Sequence, residues 1–453
     1  MFSKKSKKFI YKSGIISALI ALAFCLEPVQ AKAADPITLD QAVTMALSYS
    51  PTLKASQHKV DSAKLAEKEA YTYYLPTLDT QYAYKGVQDA PTTSIAGMTF
   101  EVGSENTYSW KTTVTQPIFT GFRITSMHKL AELGIDLAKT DLLLGKLDVA
   151  LSAKESYFQY LKAQKSLEVA NQAVRQLEAH LKTSQDFYDV GIIPVNDVLK
   201  VKVELANAQQ SQVAADNAVS LAEAKLSSLI GWGVDEKVQV EDILRRHHKD
   251  ISYNQAQHKA RTERPELKAL GIQLNQADQL IKKAQSEYFP EIGLKAGYNY
   301  LSDSPDISDS EYYDNSGWEV QASLDWSIFE WGRTKHKVGQ ARADKMRITA
   351  LENNLKDQID LQVKQAWLFL IDSEKNIITA TTQVEQAKEN YRITEERFKE
   401  QLTTNTEVLD AQTLLTQAQE NYYSALTTYN LAGARLQRAM GVGLEPTKIR
   451  GKK

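Results

Sequence analysis

Hydrophobic and polar positions follow two periods along this chain, and each period predicts its own elements. Near residues 76–119 and 290–329 the period is two. Leu78, Thr80, Tyr82 and Tyr84 alternate with Asp79, Gln81, Ala83 and Lys85. Tyr108, Trp110, Thr112, Val114 and Ile118 alternate with Ser109, Lys111, Thr113 and Thr115. Ile292, Leu294, Ala296, Tyr298 and Tyr300 share one face of a third segment. In a fourth, Trp318, Val320, Ala322, Leu324, Trp326 and Ile328 alternate with Glu319, Gln321, Ser323, Asp325 and Ser327. A period of two is a strand. Each segment is about ten residues long with one apolar, aromatic-rich face, which fits a transmembrane β-barrel strand. The pattern also suits two amphipathic hairpins packed on a helical domain, and alternation alone leaves that choice open.

Elsewhere the period is helical. From Phe122 to Phe187 there is no proline and little glycine, which predicts one helix about 100 Å long. Arg333 to Phe398 repeats it. Thr38 and Asp40 offer N-caps for a first short helix, and Pro51 to Tyr73 predicts a second. Return helices are expected near 197–230 and 407–440. The first carries Val198, Val201, Leu205, Ala208, Gln212, Ala215, Val219, Ala222, Leu226 and Leu229 at alternating spacings of three and four. Val408, Ala411, Leu415, Ala418, Tyr422, Ala425, Tyr429, Ala432, Leu436 and Ala439 repeat that seam. A sustained 3-4 repeat is coiled-coil geometry. One short helix plus one return helix nearly matches one long helix in length.

The two halves are copies. Tyr74-Leu75-Pro76 matches Tyr288-Phe289-Pro290 at an offset of 214, and Pro51-Thr52-Leu53-Lys54-Ala55 matches Pro265-Glu266-Leu267-Lys268-Ala269 at the same offset. Ile118-Phe119 matches Ile328-Phe329, and Arg123 matches Arg333, at 210. Two ordered copies are a duplication rather than a solenoid. The expected organisation is a signal peptide over 1–33, a first repeat over 34–240, a linker over 241–262, a second repeat over 263–445 and a tail over 446–453.

The signal peptide changes the charge. Lys4, Lys5, Lys7, Lys8 and Lys12 precede an apolar core from Gly14 to Leu26, and Ala31-Lys32-Ala33 offers a small-x-small cleavage site at Ala31 and Ala33. Leu22-Ala23-Phe24-Cys25 approaches a lipoprotein box, with bulky Phe24 where a small residue belongs. The whole chain has 54 basic and 56 acidic residues, net -2. Removing six lysines and Glu27 leaves 48 and 55, net -7. The 453 residues allow two to four domains, and 20 glycines with 11 prolines suit long uninterrupted elements. Mean hydropathy of -0.39 excludes a polytopic helical membrane protein. The single cysteine excludes a disulfide framework, and the balanced charge gives no footprint for nucleic acid.

Chemistry-bearing motifs are missing. There is no phosphate loop, HExxH or GxSxG. Gly231-Trp232-Gly233 follows no strand and is no dinucleotide signal. His247, His248 and His258 lie in a polar stretch, as solvated surface residues do. No enzyme, cofactor or metal site is expected.

The ordered set of motifs resembles the TolC-like outer-membrane efflux family. Leu39-Asp40-Gln41-Ala42-Val43 to Ser50-Pro51 is similar to that family's opening, and the two Tyr-x-Pro segments to its strand starts. Gln116-Pro117-Ile118-Phe119-Thr120-Gly121-Phe122-Arg123 and Ile328-Phe329-Glu330-Trp331-Gly332-Arg333 are similar to its strand-to-helix motif, with Pro117, Gly121 and Gly332 as the marked residues. The resemblance implies a homotrimer: a 12-stranded barrel in outer-membrane lipid, four strands per chain, on a long α-helical periplasmic tunnel. It implies a passive exit duct for efflux or type I secretion in a Gram-negative outer membrane. The implied partners are a periplasmic adaptor and an inner-membrane transporter of RND, ABC or MFS type. It implies docking turns at Gly191, Ile192, Pro194, Leu402, Thr403 and Thr404, and a periplasmic constriction at Glu407, Asp410 and Asp197. Lys200 replaces the acid at the position matching Asp410, and Gln401 stands where the family commonly has glycine. The alternative reading is a periplasmic adaptor or scaffold built of helical hairpins.

Overall fold

A computed structural model describes residues 36–246, 251–306, 310, 312–313 and 316–444. Cys25, the expected cleavage residues Ala31 and Ala33, His247 and His248, and the tail 446–453 lie outside the described residues.

The first repeat starts with helix α1 (Leu39–Tyr49). Thr38 caps it: its hydroxyl accepts from the Gln41 amide at 3.2 Å, and the Gln41 side chain accepts from the Thr38 amide at 2.8 Å. Pro51 opens α2 (Pro51–Thr72), at a position that needs no N–H. Strands β1 (Thr77–Gly86) and β4 (Asn106–Thr120) follow, then α3 (Arg123–Asp189) and α4 (Val195–Ile230). Between β1 and β4 lies a small hairpin, β2 (Thr92–Ile95) and β3 (Met98–Glu101), which the alternation reading missed.

The second repeat contains α5 (Tyr253–Glu263), α6 (Pro265–Gln285), a 3-10 turn (Ser286–Tyr288), β5 (Glu291–Ser302), β6 (Ser316–Asp325), α7 (Arg333–Lys399) and α8 (Asn405–Ala439). Helix α5 falls in the segment expected to be a linker, all but its last residue, Glu263. Its capping box, Ser252 with Gln255, sits 214 residues after Thr38 and Gln41, so α5 is the counterpart of α1.

Helices α3 and α7 are each 67 residues, about 100 Å. Helices α2 and α4 lie along α3, while α6 and α8 contact both long helices, so α3 joins the repeats. The α8 seam is buried at Val408, Ala411, Leu415, Ala418, Tyr429, Ala432, Leu436 and Ala439. Burying such a seam supplies what helix propensity cannot supply over this length.

The largest core lies midway along the helices, around Tyr157, Leu161, Leu226, Ile359, Val363, Tyr429 and Leu436. Tyr157 Oη lies 2.9 Å from both the Ile37 and Glu241 carbonyls, and Tyr160 Oη donates to the Val238 carbonyl at 2.9 Å. Two buried tyrosines thereby tie the residue before the α1 cap and the segment after α4 to α3.

Four strands form one antiparallel sheet in the order β1-β4-β5-β6. Thr77 pairs with Thr115 within the first repeat, and Glu291 with Asp325 within the second. Those registers coincide under the offsets of 214 and 210, so the duplication holds strand by strand. The fourth strand ends at Asp325, short of Trp326 and Ile328, which the alternation had included. Its first-repeat counterpart runs to Thr120 because β5 pairs with it there, and β6 has no partner on that side.

Candidate functional sites: a membrane sheet and a helical tip

Among the described residues no helix packs along either broad face of the sheet, and most of its side chains are exposed. Leu78, Trp318, Val320 and Leu324 all stand bare, with Trp318 79% exposed. The register places apolar rows side by side: Tyr82 with Trp110 and Tyr300, Val114 with Ala296 and Val320, Leu294 with Ala322. The opposite face carries Gln81, Lys111 and Asn299 in one row, with Lys111 Nζ 3.1 Å from Glu319 Oε1. A hairpin packed on a helical domain would bury its apolar face, so that reading fails.

Aromatic residues gather at both ends of this apolar band. Tyr82, Tyr84, Tyr108, Trp110, Tyr300 and Trp318 mark one end, with Tyr84 and Tyr108 ring centroids 5.0 Å apart. Phe119, Phe122 and Phe289 pack edge to face at the other, and Phe329 packs on Trp331 at 4.9 Å after β6. From Trp110 to Phe119 is about 30 Å along the strand, or about 23 Å of height at a tilt near 40°. That height and the two girdles match a barrel wall in lipid.

The junction from strand to helix needs two consecutive left-handed residues. In the first repeat these are Gly121 (φ 60°) and Phe122 (φ 71°); in the second they are Trp331 (φ 54°) and Gly332 (φ 80°). Gly121 and Gly332 therefore occupy successive rather than equivalent positions. At Gly121 a Cβ would collide with the Ser286 carbonyl, so glycine is required there on two counts. Pro117 lies beside the register shift between β4 and β5, and Gln116 Nε2 donates to the Tyr74 carbonyl at 2.9 Å.

At the far end the two helical hairpins turn. Gly191 (φ 77°) and Gln401 (φ 61°) hold the same left-handed position after α3 and α7. Ile192 N donates to the Phe187 carbonyl and Leu402 N to the Arg397 carbonyl, both at 2.8 Å, so the turns share one closing geometry. Pro194 and Thr404 are the N-caps of α4 and α8. Thr404 Oγ1 accepts from the Glu407 amide at 3.3 Å, and Thr403 Oγ1 donates to the Glu407 carboxylate. Asp197 pairs with Lys200 at 3.3 Å. Asp410 lines a groove of about 630 Å³ between α4 and α8 with Lys200, Glu204, Leu199 and Leu409. The structure thus gathers Asp197, Glu407 and Asp410 at one end, and Lys200 stands among them.

A buried fastening joins the two hairpins, and sequence reading missed it. His180 on α3, 5% exposed, bonds Asn405 on α8 at 2.6 Å, and Asn405 Nδ2 donates to the Asp197 carbonyl on α4 at 3.0 Å. The Phe398 ring of α7 packs edge-on at 4.9 Å. Burial lowers the His180 pKa, and its bond to Asn405 partly opposes that. Only the place of His180 on the Leu177–Ser184 inward stripe marked it in the sequence.

No helix among the described residues is long and apolar enough to cross a membrane. No group of three or more His, Cys, Asp or Glu among them is placed to hold a metal ion. The membrane element is the sheet, and the class it defines is that of an outer-membrane channel. The outer membrane efflux protein family model matches residues 42–232 and 256–442, and the chain belongs to that family. The chain is similar to the outer membrane protein TolC of Vibrio cholerae, 26% identical over 64% of this chain and 67% of that protein. It is also similar to the alkaline protease secretion protein AprF of Pseudomonas aeruginosa, 22% identical over 64% of this chain and 60% of that one. The solved structure of VceC from Vibrio cholerae superposes with a TM-score of 0.76 over 90% of this chain and 97% of that one, at 17% identity. The chain is an efflux channel component of a Gram-negative outer membrane, and the hairpin-adaptor alternative falls.

Proposed function

We propose that three copies of this chain form a passive exit duct: a 12-stranded barrel in outer-membrane lipid above a helical periplasmic tunnel. The observation that carries this is the uncovered sheet with two unpaired edges, β1 and β6. Lipid satisfies no backbone N–H or C=O, so edges in a bilayer must close on something. Each chain brings four strands, and three chains bring twelve.

The turns at Gly191, Ile192, Pro194, Leu402, Thr403 and Thr404 form the inner end and dock a periplasmic adaptor. An inner-membrane transporter delivers substrate and supplies the energy, because the duct has no chemistry of its own. Glu407, Asp410 and Asp197 recur in each copy around the constriction, and rings of carboxylate favour cations. The second repeat is best taken from Ser252, where the capping box recurs.

The test is single-channel conductance of the purified protein in planar bilayers. The Glu407→Ala/Asp410→Ala variant is expected to lose cation selectivity while still conducting. Unchanged selectivity removes the constriction assignment. Recovery of the wild-type chain as a soluble monomer overturns the duct.

A further inference from the structure

Helices α4 and α8 are the return helices of the two repeats, and both run away from the tip turns. The groove between them is lined by the same positions on each. Leu199 borders it with Leu409, Lys200 with Asp410 and Val203 with Thr413, every pair 210 residues apart. Each trio lies on one face of its helix. Parallel helices that only touch flank to flank around a ring meet through different positions, one flank against the opposite flank. Shared positions instead mark the face that both helices turn toward a common axis. Of these three pairs only Lys200 and Asp410 carry charge, and the sign differs between the repeats.

Lys200 stands between carboxylates. Its Nζ is 3.3 Å from Asp197 Oδ1 on its own helix, and Asp410 lies across the groove. Glu204, one turn further along α4, borders the same space. Lys200 and Asp410 are both exposed, so their head groups are free to meet whatever stands beside them at the axis.

We infer that Lys200 is a selectivity-determining residue of the constriction: its ammonium alternates with Asp410 around one level of the tip, and their attraction draws that level closed. The inference rests on the three-copy duct proposed above. The return helices then follow one another as α4, α8, α4, α8 around the axis. Each Lys200 has an Asp410 on either side, one in its own chain and one in the next copy. Three ammonium groups and three carboxylates cancel at that level. A ring of like charge resists narrowing, whereas a ring of alternating charge favours it. Lys200 also reaches Asp197, so the carboxylates assigned to the constriction are partly neutralised from within, and the cation preference they confer is weakened. Each contact at an exposed site is weak and screened by salt. The level therefore opens without breaking a buried bond such as His180 to Asn405.

Planar-bilayer recordings on the purified protein test the assignment, with charge preference read from the reversal potential in a salt gradient. Lys200→Glu turns the level into carboxylates alone. It is expected to raise cation-over-anion permeability about threefold or more, and conductance about twofold, because narrowing is now resisted. Lys200→Ala is expected to move both readings the same way by less. Lys200→Glu/Asp410→Lys restores the alternation with the signs exchanged, and both readings are expected to return to within about twofold of the wild type. Light scattering on each variant confirms that the multimer is kept. Unchanged preference and conductance in Lys200→Glu would place Lys200 away from the constriction and overturn the inference while the duct stands. A double variant that behaves like Lys200→Glu overturns the alternating pairing. A wild-type chain that neither conducts nor forms multimers overturns the duct and this inference with it.

Discussion

At the residue scale, single side chains set the behaviour of the two ends. Gln401 holds a left-handed backbone that Gly191 adopts freely, at a cost of roughly 1–2 kcal/mol for a residue with a Cβ. The buried His180–Asn405–Asp197 link gives the tip a pH dependence whose sign is fixed. Burial lowers the folded-state pKa of His180, so the folded tip holds the neutral ring. Above the ordinary imidazole value of about 6.5 both states are neutral and nothing is lost. As pH falls from there toward the lowered value, the unfolded chain takes up the proton first, so stability declines. Glu395 and Lys399 on α7 are the charged groups that act on the ring. Proteolysis at the 190–194 turn is expected to rise between pH 7 and 5 in the wild type and to flatten in His180→Phe. An identical slope in that variant would remove His180 from the account.

At the element scale, the strands have two faces with opposite tolerances. Val320 lies in the apolar row with Ala296 and Val114, and Gln321 lies next to it on the polar face. Val320→Arg puts a charge against lipid, at a cost of about 2–4 kcal/mol near the midplane. Gln321→Arg faces the aqueous interior and is expected to be tolerated. Outer-membrane yield of heat-resistant multimers separates the two, and equal losses would mean that the faces are assigned wrongly. The helices follow a different rule. Their propensity is ordinary, and buried seams such as Val408 to Ala439 hold them against 67-residue partners.

At the scale of the whole molecule, the position of Ile37 limits how the chain before it is anchored. Ile37 is held against Tyr157, 34 residues along α3 from its start at Arg123, or about 51 Å from the base of the sheet. Ile37 lies twelve positions after Cys25, and twelve fully extended steps reach about 43 Å. With Ile37 in place, a lipid on Cys25 would reach the headgroup layer only if the intervening chain were drawn out to its limit. Mass spectrometry of the purified protein is expected to find no acylated Cys25, and a diacylated cysteine at the N-terminus would contradict this placement.

The sequence by itself determined the elements and their duplication. Period two at Leu78–Tyr84 and Trp318–Leu324, proline-free helical runs, and matched Tyr-x-Pro segments are local signals, because a pleat or a helical turn imposes its spacing on neighbours in the chain. Even the overlooked α5 was legible in Ser252 and Gln255. Only the tertiary structure decided which strands pair across the repeats, where β6 stops, and that His180 meets Asn405 over 225 positions. Those outcomes depend on contacts between distant segments, and local spacing carries no record of the partner. The candidate constriction divides along the same line. Glu407 and Asp410 were readable as acids after a turn and Lys200 as a departure from them, while the meeting of Lys200 and Asp410 in one groove came from packing α4 near α8.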